Sequence, residues 1–176
     1  MKRGLIKILG RLLSITVVKI RKLNYIYSGK LNTITYRYAF NKCGNNICVY
    51  GKPLILNPHR IEVGDNFSIN HGAQLCPRGK IVIGHNVSIS RGAQITAGQL
   101  DTSNWKYERL SKIIDHVSED VYLADGTWLC VNSIVLPGVK ITGKGVIVAA
   151  GAVVNKDITE DYVIVGGIPA RIIKKL

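Results

Sequence analysis

The chain has 176 residues and carries 24 Lys+Arg against 11 Asp+Glu, a formal net charge of +13. With 47% hydrophobic and only 20% charged residues, it has the length and apolar content for one domain with a sizeable core, which excludes a disordered polycation. The excess charge is local: residues 1–61 hold twelve Lys and Arg and no acid, whereas 62–176 hold twelve basic and eleven acidic residues. A body this close to neutral offers no footprint for nucleic acid.

Residues 1–45 are predicted to form a basic amphipathic helical segment. In LIKILGRLLSITVVKIRKL, helical spacing puts Lys7, Arg11 and Ser14 on one narrow stripe and spreads Leu5, Ile8, Leu9, Leu12 and Ile15 over the rest. Such a helix suits the interface of an anionic membrane, reached through residues 1–22, and equally a dock on its own domain or a neighbouring subunit. Lys7, Arg11 and Lys19 break the apolar run, which argues against a cleaved signal and against a spanning helix, for which about 20 apolar residues are needed. Cys43, Cys48, Cys76 and Cys130 show neither a CxxC pair nor metal-ligand spacing with His. Buried, reduced thiols are therefore expected, and the chain is placed in the cytoplasm, with the membrane as a peripheral contact.

Residues 46–176 follow a different period. Aliphatic residues recur every sixth position at Val63, Ile69 and Leu75, at Ile83, Ile89 and Ile95, and at Leu123, Leu129, Val135 and Ile141, with Ala73, Val87, Ala93, Thr127, Ser133 and Val139 four positions after members of the series. A strand alternates at two and a helix at about 3.6. A sustained six is the mark of a parallel β-helix whose triangular coil uses three hexapeptides, with the aliphatic residue inward and a small residue beside the corner. The step of eight from Leu75 to Ile83 leaves room for a bulge at Pro77–Lys80. Near the end, Ile147/Val153 and Val148/Val154 fit equally, the second pair requiring an extra residue around 142–144. Turn glycines such as Gly64, Gly84, Gly92 and Gly138 are expected at positive φ. Leu123 stands 28 positions after Ile95, so a loop excursion at 96–122 leaves the coil, carrying Gln99, Asp101, Trp105, Tyr107, Arg109, Asp115 and His116.

The segments IVIGHNVSISRGAQIT, TWLCVNSIVLPGVKI and VIVAAGAVVNKDITEDYVIVGGIPARIIKKL resemble the left-handed β-helix acyltransferases, specifically the sugar O-acetyltransferases of the hexapeptide-repeat superfamily. The resemblance covers roughly 50–176. It implies a left-handed parallel β-helix, a homotrimer, and acetyl-CoA as co-substrate in a groove between neighbouring prisms, with no metal. It further implies that a loop histidine removes the proton from an acceptor hydroxyl as that oxygen attacks the thioester, while backbone N–H groups hold the oxyanion.

The family's histidine directly before an Asp is replaced here by Leu100, in TAGQLDTSN. The nearest substitute is His116, which closes the same excursion, with Asp101 or Asp115 to orient it. By resemblance Asn70 contacts the acceptor. His71 beside it is the second candidate base, and Gln99 and Trp105 of the excursion join the substrate-binding set. His59 and His85 are expected to be structural, and Trp128 to pack. For the donor, Val131 and Ala150 match pantetheine-groove positions, and Asn155, Lys156, Arg171 and Lys174 match positions that meet the phosphates of CoA. The function so implied is acetyl transfer from acetyl-CoA to a sugar hydroxyl in cell-surface polysaccharide biosynthesis. The alternatives are N-acetylation of an amino-sugar nucleotide and a catalytically silent trimeric scaffold.

Overall fold

The computed structural model describes residues 2–108, 113 and 115–176, without the side chains of 2–10, 12 and 108. Arg109 of the excursion thus lies outside the described residues. The chain is a left-handed parallel β-helix preceded by one long helix. The helix, α1, spans Lys2–Ala39, and the first strand pair of the coil begins at Lys42–Cys43.

Three sheets form the faces of the prism. The first stacks Lys42–Cys43, Ile61–Val63, Ile81–Ile83, Val121–Leu123 and Lys140–Ile141 in parallel register. The second runs from Cys48–Val49 through Ser68–Ile69, Ser88–Ile89, Trp128–Leu129 and Ile147–Val148 to Val163–Gly166. The third stacks Leu54–Ile55, Gln74–Cys76, Gln94–Thr96, Ile134–Val135 and Val153–Val154.

The sixfold aliphatic series is the core. Ile69, Leu75, Ile89, Ile95, Leu123, Leu129, Val135 and Ile141 are completely buried, one above another. Ala73, Val87, Ala93, Thr127 and Ser133 are also completely buried, so the position four later is small because its side chain lies inside. The two buried hydroxyls are satisfied locally: Thr127 Oγ1 donates to the Ala124 carbonyl at 2.7 Å and Ser133 Oγ to that of Cys130 at 2.8 Å.

Early coils are longer than three hexapeptides. Glu62 pairs with Val82 and Gln74 with Gln94, so each turn takes twenty residues and Pro77–Lys80 absorbs the surplus at a corner. The register at the other end is settled by Leu129 pairing with Val148 and Val135 with Val154. Val148 and Val154 point inward while Ile147 and Val153 are half-buried, so the extra residue near 142–144 is real.

Glycines at the corners divide into two kinds. Gly92 and Gly138 adopt positive φ as expected, but Gly64 and Gly84 do not; there Asn66 and Asn86, two residues on, take the left-handed conformation. Gly64 and Gly84 are needed for space instead. A Cβ on Gly64 would meet the Gly84 carbonyl carbon at 2.8 Å, and one on Gly84 would meet Asp125 Oδ1 at 2.4 Å. The asparagines gain a ladder, with Asn46 Nδ2 donating to Asn66 Oδ1 and Asn66 Nδ2 to Asn86 Oδ1, each at 2.8 Å.

Both ends of the prism are closed, as an unpaired strand edge requires. At the start, Phe40 follows α1 into the coil, stacks on Tyr36 and meets Phe67 edge-on. Thr33 of α1 accepts the edge N–H of Val49 at 2.9 Å, and Asn32 Nδ2 donates to the Gly51 carbonyl. At the finish, Arg171–Lys175 folds back antiparallel on Val163–Gly166. The cysteines are free, and half-buried where full burial was expected.

Candidate active site

The excursion leaves the coil after the third sheet and rejoins it at the first. Its base is a two-stranded antiparallel ribbon, Gly98–Leu100 against His116–Ser118. In that ribbon Leu100 is the direct cross-strand partner of His116. Side chains of directly opposed antiparallel residues lie on one face with Cβ atoms about 4.5–5.5 Å apart. The imidazole of His116 therefore stands beside the position where the resemblance expects a histidine, supplied from the other strand.

The ribbon is braced by groups at its neck. Gln99 Nε2 donates to Glu119 Oε1 at 3.1 Å, and the Glu119 N–H donates to the Ala97 carbonyl. The Asp101 N–H donates to the Asp115 carbonyl at 2.7 Å, while Asp101 Oδ1 accepts the Ser103 N–H at 2.9 Å and closes a turn. By strand alternation, Asp101 and Asp115 occupy the ribbon face opposite to His116. Trp105 opens a single helical turn, Trp105–Glu108, beyond this point.

A second set of predicted residues gathers at the corner between the second and third sheets. Gly151 N–H donates to the Val131 carbonyl and Asn132 N–H to that of Arg91, so Ala150, Val131 and Arg91 rise in one column with His71 one coil below. His71 lies against α1: its ring meets that of Tyr25 edge-on, and its Nδ1 accepts the backbone N–H of Lys52 at 3.1 Å. An imidazole that accepts through Nδ1 carries its proton on Nε2 when neutral, and Nδ1 is the nitrogen that this contact occupies. Asn70 Nδ2 is held by the Ile89 carbonyl at 3.2 Å. Tyr25, Asn70, His71 and Arg91 line a hollow of about 310 Å³.

The cations expected to meet the acetyl donor fall at the closing end. Lys156 and Arg171 line one cavity of about 230 Å³, together with Asp157 and Glu160. Lys174 lies on the last strand opposite Ile164, and Asn155 is exposed beside Lys156. The single chain does not bring every predicted residue together: the His116 ribbon stands at one edge of the third sheet, and the His71–Ala150 column at the other.

His85, expected to be structural, occupies a ladder of corner acceptors. Its Nδ1 accepts the Asp65 N–H at 3.0 Å, and its own N–H donates to Asp125 Oδ1 at 2.7 Å. His59 is exposed in a short 3-10 turn, Pro58–Arg60. Trp128 is half exposed, and its Nε1 donates to Ser90 Oγ at 2.9 Å.

No family profile matches the chain. Among solved structures, a hexapeptide-repeat acetyltransferase of Vibrio cholerae O1 biovar eltor, complexed with acetyl coenzyme A, is similar with a TM-score of 0.70 at 26% identity, over 80% of this chain and 74% of that one. The protein YJL218W of Saccharomyces cerevisiae, whose name calls it an acetyltransferase without assigning an acceptor, is 31% identical over 91% of this chain and 84% of its own length. The chain belongs to the hexapeptide-repeat acetyltransferases. A maltose O-acetyltransferase of Clostridium difficile 630 is also similar, with a TM-score of 0.69 and 29% identity over 80% of this chain and 72% of that one.

In this acetyltransferase, sequence reasoning missed Tyr25, Arg91 and Glu119. Arg91 stands twenty positions after His71, which a twenty-residue coil would have marked as the same column. Tyr25 carried no such signal, because helical and coil periods share no register.

Proposed function

We propose that the protein transfers the acetyl group of acetyl-CoA to a sugar hydroxyl, with His116 as general base. The observation that carries this reading is the pairing of His116 with Leu100, which supplies an imidazole where the family's histidine is missing. In the reaction, His116 takes the proton of the acceptor hydroxyl as its oxygen bonds to the thioester carbonyl carbon. The tetrahedral oxyanion then collapses, the C–S bond breaks, and the imidazolium returns the proton to the departing CoA thiolate. The products are an O-acetyl sugar and free CoA, so protons and electrons balance.

The remaining roles follow from position. Asn70 and His71 contact the acceptor, His71 donating from Nε2, with Gln99 and Trp105 bordering the same site from the excursion. Asp101 and Asp115 hold the shape of the ribbon that presents His116. The pantetheine arm lies along Val131 and Ala150. Lys156, Arg171 and Lys174 meet the CoA phosphates, Arg171 being able to engage one through two N–H groups, and Asn155 adds a polar contact. These parts form one site in a homotrimer, where the ribbon of one prism reaches the His71–Ala150 column of the next. The free thiols suit a reducing cytoplasm, and polysaccharide biosynthesis is the setting that fits a sugar hydroxyl as acceptor.

The test incubates the protein with acetyl-CoA and a panel of mono- and oligosaccharides, following free CoA with a thiol reagent and acetylated product by mass spectrometry. Hydroxyl-dependent CoA release, lost in His116→Ala, supports the proposal. Transfer only to amino sugars would replace it with N-acetylation, and no CoA binding at all would point to a silent scaffold.

A further inference from the structure

From Ser28 onward helix α1 packs on the prism through one face, whereas residues 13–27 are exposed all round, Ile15 and Val18 included. At about 100° per residue, Gly29, Thr33, Tyr36 and Phe40 share the packed face, and Leu13, Ile20, Tyr27, Leu31, Ile34 and Tyr38 share the opposite one. These six side chains are 52–84% exposed, Ile20 the least and Tyr38 the most. At ~1.5 Å per residue the stripe from Leu13 to Tyr38 is roughly 38 Å long. An apolar strip of that length, more than half exposed at each of these six positions among the described residues, marks an interaction surface.

Charge decides between the candidate occupants. The helix carries nine Lys and Arg and no Asp or Glu. On the helical wheel Lys19, Lys30 and Arg37 follow one flank of the stripe and Arg21 the other. The helix of a second copy would bring the same cations against these flanks, with no acid to pair them. An anionic lipid surface complements them, lets the long basic side chains reach outward from an immersed apolar face, and suits phenols such as Tyr27 and Tyr38 at the headgroup level. Among the described residues no helix is long and apolar enough to cross a membrane, so the helix would lie in the plane of the surface.

We infer that α1 docks the protein on an anionic bilayer, with the Leu13–Tyr38 stripe in the boundary between headgroups and acyl chains. Tyr27 and Leu31 also line a hollow of about 580 Å³ shared with Lys52 and His71. Docking therefore sets that hollow beside the headgroups.

The experiment is flotation of the full chain with vesicles of phosphatidylcholine alone and with vesicles containing phosphatidylglycerol, at low and high salt. Ile20→Asp and Leu31→Asp are compared with the unsubstituted protein. Both positions are exposed, so the fold is retained, as far-UV circular dichroism and thermal midpoint verify. The expected result is binding to the anionic vesicles alone, weakened by salt and by at least about tenfold in each variant. Absence of binding to anionic vesicles overturns the inference, as does binding that both variants retain in full. A fall in oligomer mass by light scattering in the variants, with no vesicle binding by the unsubstituted protein, would assign the stripe to a second copy instead.

Discussion

Leu100 and His116 are direct partners across the antiparallel ribbon at the base of the excursion. An imidazole that the first strand lacks is thereby presented by the other, one strand pair (about 5 Å) away on the same face of the ribbon. His116→Ala is expected to lower kcat by about 10²–10⁴-fold, the usual worth of a positioned general base, with the affinity for CoA unchanged by isothermal titration. Retention of kcat within a factor of a few would remove His116 from the chemistry.

The two cations at the closing end have a different signature. Arg171 and Lys156 line the 230 Å³ cavity far along the coil from the ribbon, and under the proposed role at the CoA phosphates their loss removes binding made equally in ground and transition states. Arg171→Ala is predicted to raise the KM for acetyl-CoA by roughly tenfold with little change in kcat. Desulfo- or dephospho-forms of CoA compared on the two proteins would show which part of the cofactor the guanidinium meets.

Space at the corner column gives a stability prediction. A methyl on Gly84 meets Asp125 Oδ1 at 2.4 Å and the Asp125 backbone nitrogen at 2.9 Å, and the Asp125 carboxylate cannot yield without releasing the His85 N–H that it accepts. Gly84→Ala is expected to cost about 1–3 kcal/mol, the range for overpacking. Gly72→Ala meets nothing within 4 Å and is strained only by its φ of +75°, so urea titration should find it the milder of the two.

Acid stability has identifiable carriers. Glu62 is held below the ordinary carboxylate range first by its ion pair with Lys42 at 3.2 Å and then by the Asn41 amide. Asp65 is lowered chiefly by the Asn45 backbone N–H at 2.6 Å, with His85 assisting. A carboxyl whose folded pKa is depressed contributes stability that is present above its unfolded value, near 4, and is lost as pH falls through the lower folded value. Thermal midpoints should therefore decline below about pH 4, and Glu62→Gln combined with Asp65→Asn should flatten that decline. An unaltered acid limb in the double variant would assign it to other groups.

The prism was legible because its core repeats at six within each block, at Val63, Ile69 and Leu75 and again at Ile83, Ile89 and Ile95, a period that no helix or hairpin shares. What the period could not convey was the corner. Gly64 and Gly84 look like turn glycines in the sequence, yet the left-handed backbone falls on Asn66 and Asn86, because the next coil's backbone excludes a Cβ two positions earlier. The site was legible in its parts and not in its pairing. His116 could be found as an imidazole in the excursion, but its place opposite Leu100 depends on a ribbon register set by few residues. The partnership of His71 with Tyr25 depends on how α1 lands on the first coil, which neither pattern encodes.

The cross-strand pair allows the central claim to be tested by exchange. If the imidazole's location on the ribbon face is what matters, Leu100→His combined with His116→Leu keeps the same two side chains on the same face and moves the base by the width of one strand pair, about 5 Å. The steady-state rate of acetyl transfer by this double variant, measured beside His116→Ala, is the most direct measurement. The account predicts that the exchange recovers at least about tenfold of the activity lost in His116→Ala, a modest part of a general base's usual worth. Activity in the exchanged protein no higher than in His116→Ala, with the fold intact by circular dichroism, would contradict it.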